Sequence, residues 1–298
     1  MKKIQKTMKN KRLFAFGCSF TNYKWPTWAN ILGCEFEYFE NWGQDGAGNQ
    51  YMFNSLIECN QRNKFTKDDT IIICWTNVDR EDRYTNRWLS GGNVYYSHSY
   101  PIDWVKKFIT DRGCLIRDLA MIKSINLVLS SIGCSYKFLS MVPLNRRMFE
   151  YLNPNNDVFT LYDDVLDKIC PSYFEIIFNS DWTSRDSDFS KDIVVESTKN
   201  LKLRYETVAG PDWPSFDNAC KLFHTEKNNS KNTIFEEIKL MFNYDFYQIN
   251  RDYHPTPVEH LEYIEKILPE YTISDSTVDW VRNYKFGDKF NKTKIKRL

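Results

Sequence analysis

The sequence predicts an α/β fold: a three-layer α/β/α sandwich with a mainly parallel sheet, carrying a mostly helical and irregular insertion. Three observations predict it. Strand-like apolar runs alternate with helical stretches through the first half, the pattern of a parallel sheet covered by crossover helices. The run Ile71-Ile72-Ile73-Cys74-Trp75 is continuously apolar, as befits a strand covered on both faces. Past residue 145 the pattern turns irregular, and it resumes near residue 246.

The elements follow in order. Residues 12–18 read as the first strand and 26–32 as a short helix with Pro26 at its start, where a missing N–H does no harm. Residues 36–42 read as a second strand. A helix over 49–62 has Tyr51, Phe53, Leu56 and Ile57 on its apolar face. The third strand is 71–75. Residues 78–101 read as a long loop or small excursion, with Gly91-Gly92-Asn93 as a turn. A long helical region over 105–131 is expected to break near Gly113, and 136–142 is a fourth strand ended by Pro143. Within 146–245, helices are expected over 161–169 and 233–242. The parent pattern returns with a strand over 246–249 and a helix over 257–268, stopped by Pro269. Domain organisation is therefore expected as a basic lead (1–11), a parent domain (12–145 and 246–270), an insertion or cap (146–245) and a basic tail (271–298).

The chain has 298 residues, with 40 Lys plus Arg against 39 Asp plus Glu. A net charge of +1 argues against a general nucleic-acid binder, whose affinity comes mainly from clustered positive charge. No apolar run approaches the roughly 20 residues that cross a bilayer. The eight cysteines include no C-x-x-C pair, so a structural zinc site has no support and reduced thiols are expected. The apolar stretch 13–20 is short for a signal-peptide core and carries bulky Phe16 beside the would-be cleavage site. A cytoplasmic protein is expected. Scarce alanine with abundant Asn, Lys and Ile points to an AT-rich genome, bacterial or viral. Aromatic content reaches 16%. Trp88, Tyr95, Tyr96, Tyr100, Trp182 and Trp213 either form a sugar-stacking surface or fill a core.

In such sheets, ligands bind beyond the carboxyl ends of the strands, so the residues following each strand carry the functional signal. Ser19 follows the first strand in Phe16-Gly17-Cys18-Ser19-Phe20-Thr21; it is a nucleophile or a helix cap, and Cys18 is a rival thiol. Asn41-Trp42-Gly43-Gln44-Asp45-Gly46-Ala47-Gly48-Asn49 follows the second strand, and its glycines let backbone N–H groups approach a ligand. It lacks the G-x-G-x-x-G order of dinucleotide sites. Asn77 follows the third strand and is an amide donor or a turn residue. Arg251-Asp252-Tyr253-His254-Pro255 follows the last. Residues two apart in extended chain face the same way, so Asp252 can orient His254, and Pro255 keeps His254 extended. His260 is expected to face solvent or cap a loop.

Taken in order, Ser, Gly, Asn and then Asp with His, these residues resemble the blocks of the SGNH hydrolases, the GDSL esterase and lipase superfamily. The resemblance covers residues 11–145 and 245–268. It implies a flavodoxin-like sheet, Ser19 as nucleophile, His254 as base and Asp252 as its orienting partner. It also implies an oxyanion hole from the Ser19 N–H, the Gly46 N–H and the Asn77 side chain, with Gly43 and Gly48 as alternatives to Gly46. No metal or organic cofactor is implied. Three departures stand out. Cys18 occupies the position of the family's Asp, Trp75-Thr76-Asn77-Val78 replaces Gly-x-Asn-Asp, and Asp252-x-His254 is one residue shorter than Asp-x-x-His. The expected activity is ester hydrolysis through an acyl-serine, with a small-molecule or carbohydrate ester, such as an O-acetyl sugar, as substrate. The alternatives are a non-catalytic binding or structural protein on the same fold and an O-acyltransferase.

Overall fold

The computed structural model describes residues 11–95, 100–144, 157–180, 201–225, 234, 238 and 254–290. Among the described residues four parallel strands form the central sheet: β1 (Arg12–Gly17), β2 (Tyr38–Asn41), β3 (Thr70–Trp75) and β6 (Ser135–Ser140), in the order β2-β1-β3-β6. The two middle strands explain their own sequences. Every residue of β3 is buried, as are Leu13 to Gly17 of β1, because helices cover both faces and leave no side for polar residues. Aromatic pairs tie neighbouring strands: Phe16 stacks on Trp42 at 6.2 Å, and Trp75 meets Phe138 edge-on at 5.7 Å. At the opposite end of the sheet, Arg12 clamps the buried Asp69 through both carboxylate oxygens, at 2.7 and 2.6 Å, a geometry suited to the planar guanidinium.

The crossover helices sort into two groups. α1 (Trp28–Gly33) packs with α8 (Pro257–Ile267), which packs in turn with α9 (Asp275–Asn283); α2 (Asn49–Asn63) packs with α4 (Asp111–Ile132). Right-handed crossovers in this strand order send the connection to β2 one way and those to β3 and β6 the other, which yields the three layers. Among the described residues no helix is long and apolar enough to cross a membrane. The strand expected at 246–249 and most of the helix expected at 233–242 lie outside the described residues.

Several expectations are corrected. Residues 78–101 contain an antiparallel hairpin, β4 (Arg80–Tyr84) with β5 (Trp88–Asn93). Gly91, Gly92 and Asn93 lie within β5; the turn is at 85–87, where the Thr85 N–H reaches the Arg87 carbonyl. The long helical region divides at 109–110 into α3 (Ile102–Phe108) and α4. Gly113 does not break it but sits in the first turn of α4, where its N–H is capped by Thr110 Oγ1. Residues 271–298 are not simply a tail: α9 buries Thr277 and Val281, and Ser274 and Thr277 bond to Glu35.

The chain divides into two compact units, Met1–Thr183 with His254–Leu298 and Ser184–Tyr253. Residues 157–180 therefore belong with the sheet. α5 (Asp157–Leu166) packs on α4, Ile169 forms a parallel bridge with Phe138, and α6 (Tyr173–Ile176) stacks Tyr173 on Tyr263 of α8 at 3.6 Å. In the second unit, helical residues 201–208 and helix α7 (Phe216–Thr225) enclose a small core of Leu201, Tyr205, Phe216, Ala219 and Ile238. Trp213 packs against Tyr205 there, at 5.5 Å. Of the other aromatics, Trp88 meets Tyr51 and Tyr84 edge-on, and Tyr100 stacks on Trp104; Tyr96 and Trp182 lie outside the described residues.

Candidate active site

β1 ends at Gly17, and the chain turns at once. The Cys18 carbonyl accepts the N–H groups of Thr21 and Asn22 at 2.9 and 3.1 Å. A Cβ on Gly17 would lie 1.9 Å from Thr21 Oγ1, so glycine is what lets Thr21 fold back over the strand end. The buried Thr21 is then fixed on several sides. Its carbonyl accepts from Thr27 Oγ1 at 2.6 Å and Asn41 Nδ2 at 2.7 Å, and its Oγ1 accepts from Trp28 Nε1 at 3.2 Å. Ser19 rides on this turn. Cys18 is fully buried, its Sγ 3.8 Å from Met141 Sδ, so its thiol packs inward and away from solvent.

Ser19 Oγ lies 2.8 Å from His254 Nε2, across 235 residues of sequence. The imidazole is held by its surroundings. Tyr23 stacks on it at 3.8 Å with an 18° tilt, and Phe20 and Trp25 close two further sides at 5.5 and 6.5 Å. The next residue is pinned as well, since Trp25 Nε1 donates to the Pro255 carbonyl at 2.7 Å. Thr256 then begins α8 with a reciprocal capping box to Glu259, and Pro257 occupies the first turn. A capped helix start directly after His254 fixes the chain direction there. Asp252 lies outside the described residues.

The three glycines after β2 have different duties. Gly43 donates its N–H to Asn41 Oδ1 at 2.9 Å, and its carbonyl receives Asn22 Nδ2 at 2.9 Å. Gly48 donates to both oxygens of Asp82, at 2.9 and 3.0 Å. Gly46, at φ +70°, accepts from the Gly92 N–H through its carbonyl, while its own N–H has no acceptor among the described residues. The same holds for the Ser19 N–H and for the half-buried Asn77 amide. Strand register puts these groups at one sheet edge: Gly17 pairs with Cys74, and the Gln44 N–H bonds to the Gly17 carbonyl at 3.0 Å.

A buried polar network lies under the loop that carries Asn77. Asn49, at the start of α2, accepts from the Thr76 N–H at 2.9 Å and donates to the Thr76 carbonyl at 3.1 Å and to Asp118 Oδ2 at 2.7 Å. Arg117 Nε binds the other Asp118 oxygen at 2.7 Å, and its Nη2 reaches the Val78 and Arg80 carbonyls. Complete burial pushes the Asp118 carboxyl up to about 7, against the opposing pull of Arg117 and Asn49. Burial likewise raises Asp82, opposed by the Gly48 and Tyr51 N–H groups at the start of α2. Sequence reasoning passed over this network, although Asp118 falls on the apolar stripe of Leu115, Leu119 and Ile122. His260 is corrected too: it is 1% exposed and its Nδ1 is 2.9 Å from the Tyr173 hydroxyl.

Among the described residues no three His, Cys, Asp or Glu side chains gather as a metal site. The eight cysteines are free thiols, five of them buried. No family model matches the chain, and no curated protein matches it. Among solved structures it is similar to a member of the lipolytic protein G-D-S-L family from Veillonella parvula DSM 2008. That likeness has 15% identity and a TM-score of 0.31, over 59% of this chain and 84% of the other. At those values it assigns neither activity nor residues.

Proposed function

We propose that the protein is an SGNH-type serine hydrolase that cleaves esters through an acyl-serine intermediate. The observation that carries this reading is the 2.8 Å contact between Ser19 Oγ and His254 Nε2 at the carboxyl edge of the sheet. A serine hydroxyl is a weak nucleophile until a base within hydrogen-bond reach takes its proton. His254 is in reach, and Tyr23, Trp25 and the capped start of α8 hold its ring and chain. In the proposed cycle, Ser19 Oγ attacks the ester carbonyl as His254 Nε2 accepts the proton. The imidazolium then protonates the departing alkoxide. Water, deprotonated by the same nitrogen, releases the acid and restores Ser19. Asp252 is proposed to bind His254 Nδ1 and stabilise the imidazolium.

The oxyanion is assigned to the Ser19 N–H, the Gly46 N–H and the Asn77 amide. What supports this set is that all three donors are uncommitted among the described residues, whereas the Gly43 and Gly48 N–H groups serve Asn41 and Asp82. Donors held in place before charge develops are what such a step needs. The proposed substrate is a small or carbohydrate ester such as an O-acetyl sugar. The test is release of p-nitrophenol from p-nitrophenyl acetate, and of acetate from acetylated sugars, by wild type, Ser19→Ala and His254→Ala. Both variants should lose at least a thousandfold in turnover. Equal rates would refute the assignment, and acyl transfer to an added sugar in place of water would make the protein an acyltransferase.

A further inference from the structure

Arg80 begins β4, five residues past the end of β3. Its side chain is half-buried and meets the loops that follow β2 and β6. Nη1 donates to the Ala47 carbonyl at 3.0 Å, beyond β2, and Nη2 lies 3.6 Å from Met141 Sδ, beyond β6. The same sulfur touches Cys18 Sγ at 3.8 Å and Thr76 Oγ1 at 3.5 Å, beyond β1 and β3. One side chain therefore separates this guanidinium from the residue next to Ser19.

Arg12 and Arg117, the two other arginines anchored at this sheet, are each paired with a buried carboxylate. Arg80 is not: no carboxylate lies within ion-pair distance of it among the described residues. Two acids are near enough to feel its charge, but neither pairs with it. Asp79 Oδ2 binds Asn93 while its buried Oδ1 has no hydrogen-bond partner among the described residues, and Asp82 binds the Gly48 and Tyr51 N–H groups. One carbonyl and one thioether leave most of the five guanidinium N–H donors uncommitted. A half-buried cation with no carboxylate paired to it is only partly compensated, and its fork matches an oxyanion with two coplanar oxygens.

We propose that Arg80 receives an anionic group of the substrate, which narrows the ester class to acidic molecules such as uronic acids acylated on a hydroxyl, whose carboxylate stays free. This inference rests on the proposed function for the chemistry at Ser19, but its test does not need turnover. D-glucuronate and D-glucose, which differ in one carboxylate, are titrated by calorimetry into wild-type protein and into Arg80→Gln. Wild type should bind glucuronate at least tenfold more tightly than glucose, and Arg80→Gln should lose that preference. Equal binding of the two sugars by wild type, or an undiminished preference in the variant, would overturn the proposal. Should Arg80→Gln fail to fold, Arg80→Lys keeps the charge and removes the fork, and is expected to lose most of the preference. Covalent labelling of Ser19, measured separately, reports on the hydrolase reading, so either idea can fail alone.

Discussion

Replacing Asn49 by Ala should be among the most damaging single changes outside the Ser19–His254 pair. Asn49 spends its whole amide on three bonds: two close a ring with the backbone of Thr76, and the third reaches Asp118. Thr76 and Asp118 are both fully buried. Truncation leaves an N–H, a carbonyl and one carboxylate oxygen without a partner, and each orphan costs about 1–3 kcal/mol. Alanine's better helix propensity returns roughly 0.5 kcal/mol. Water entering the space relieves part of the rest, so the net loss is about 3–5 kcal/mol. At roughly 2–4 °C per kcal/mol for large domains, the thermal midpoint should fall by about 6–20 °C. Asn49→Asp should be no better, because its second oxygen faces the Thr76 carbonyl and Asp118. Thermal unfolding followed by circular dichroism measures both. A midpoint for Asn49→Ala within about 2 °C of wild type would show that the network does not hold the loop.

Two further variants probe the frame of the site. Asp118→Asn should flatten the pH dependence of stability. The folded carboxyl is raised to about 7 from its ordinary 3.8, so its contribution is full below pH 4 and is lost as pH rises toward 7, at up to about 1.4 kcal/mol per unit. Urea midpoints from pH 4 to 8 measure this, and identical profiles for the variant and wild type would contradict it. Gly17→Ala should lose stability and ester turnover together, since its Cβ would stand 1.9 Å from Thr21 Oγ1 and 3.2 Å from the Cys74 carbonyl. Overpacking of this kind typically costs about 1–3 kcal/mol. A variant as stable and active as wild type would mean that the Ser19 turn does not depend on this close approach.

The sheet was legible because burial leaves a direct mark on sequence: β3 is continuously apolar and fully buried. The hairpin was not, because its turn at 85–87 is Thr-Asn-Arg, without the usual Gly or Pro, while Gly91 and Gly92 mimic a turn inside β5. Gly113 misled for a related reason, as glycine in a first turn sits where the helix has few bonds to lose. At the site, Ser19 was legible as the residue after the first strand and His254 as a residue before the last predicted helix, and the structure brings the two within 2.8 Å. The separate duties of the three glycines were not, because the Gly48 N–H is taken by Asp82, 34 residues further along the chain. Arg80 and Asp118 were missed because a charged residue beside apolar ones has no signature until its partners are known. His260 could have been found: with Tyr263 and Ile264 at three and four residues on, it shares their buried face.

Covalent labelling by a fluorophosphonate, with the modified peptide mapped by mass spectrometry, tests the central claim most directly. The account predicts one adduct, on Ser19, that disappears in Ser19→Ala and forms far more slowly in His254→Ala. Folded wild-type protein that takes no label, or that is labelled at Cys18 or another serine instead, would contradict it.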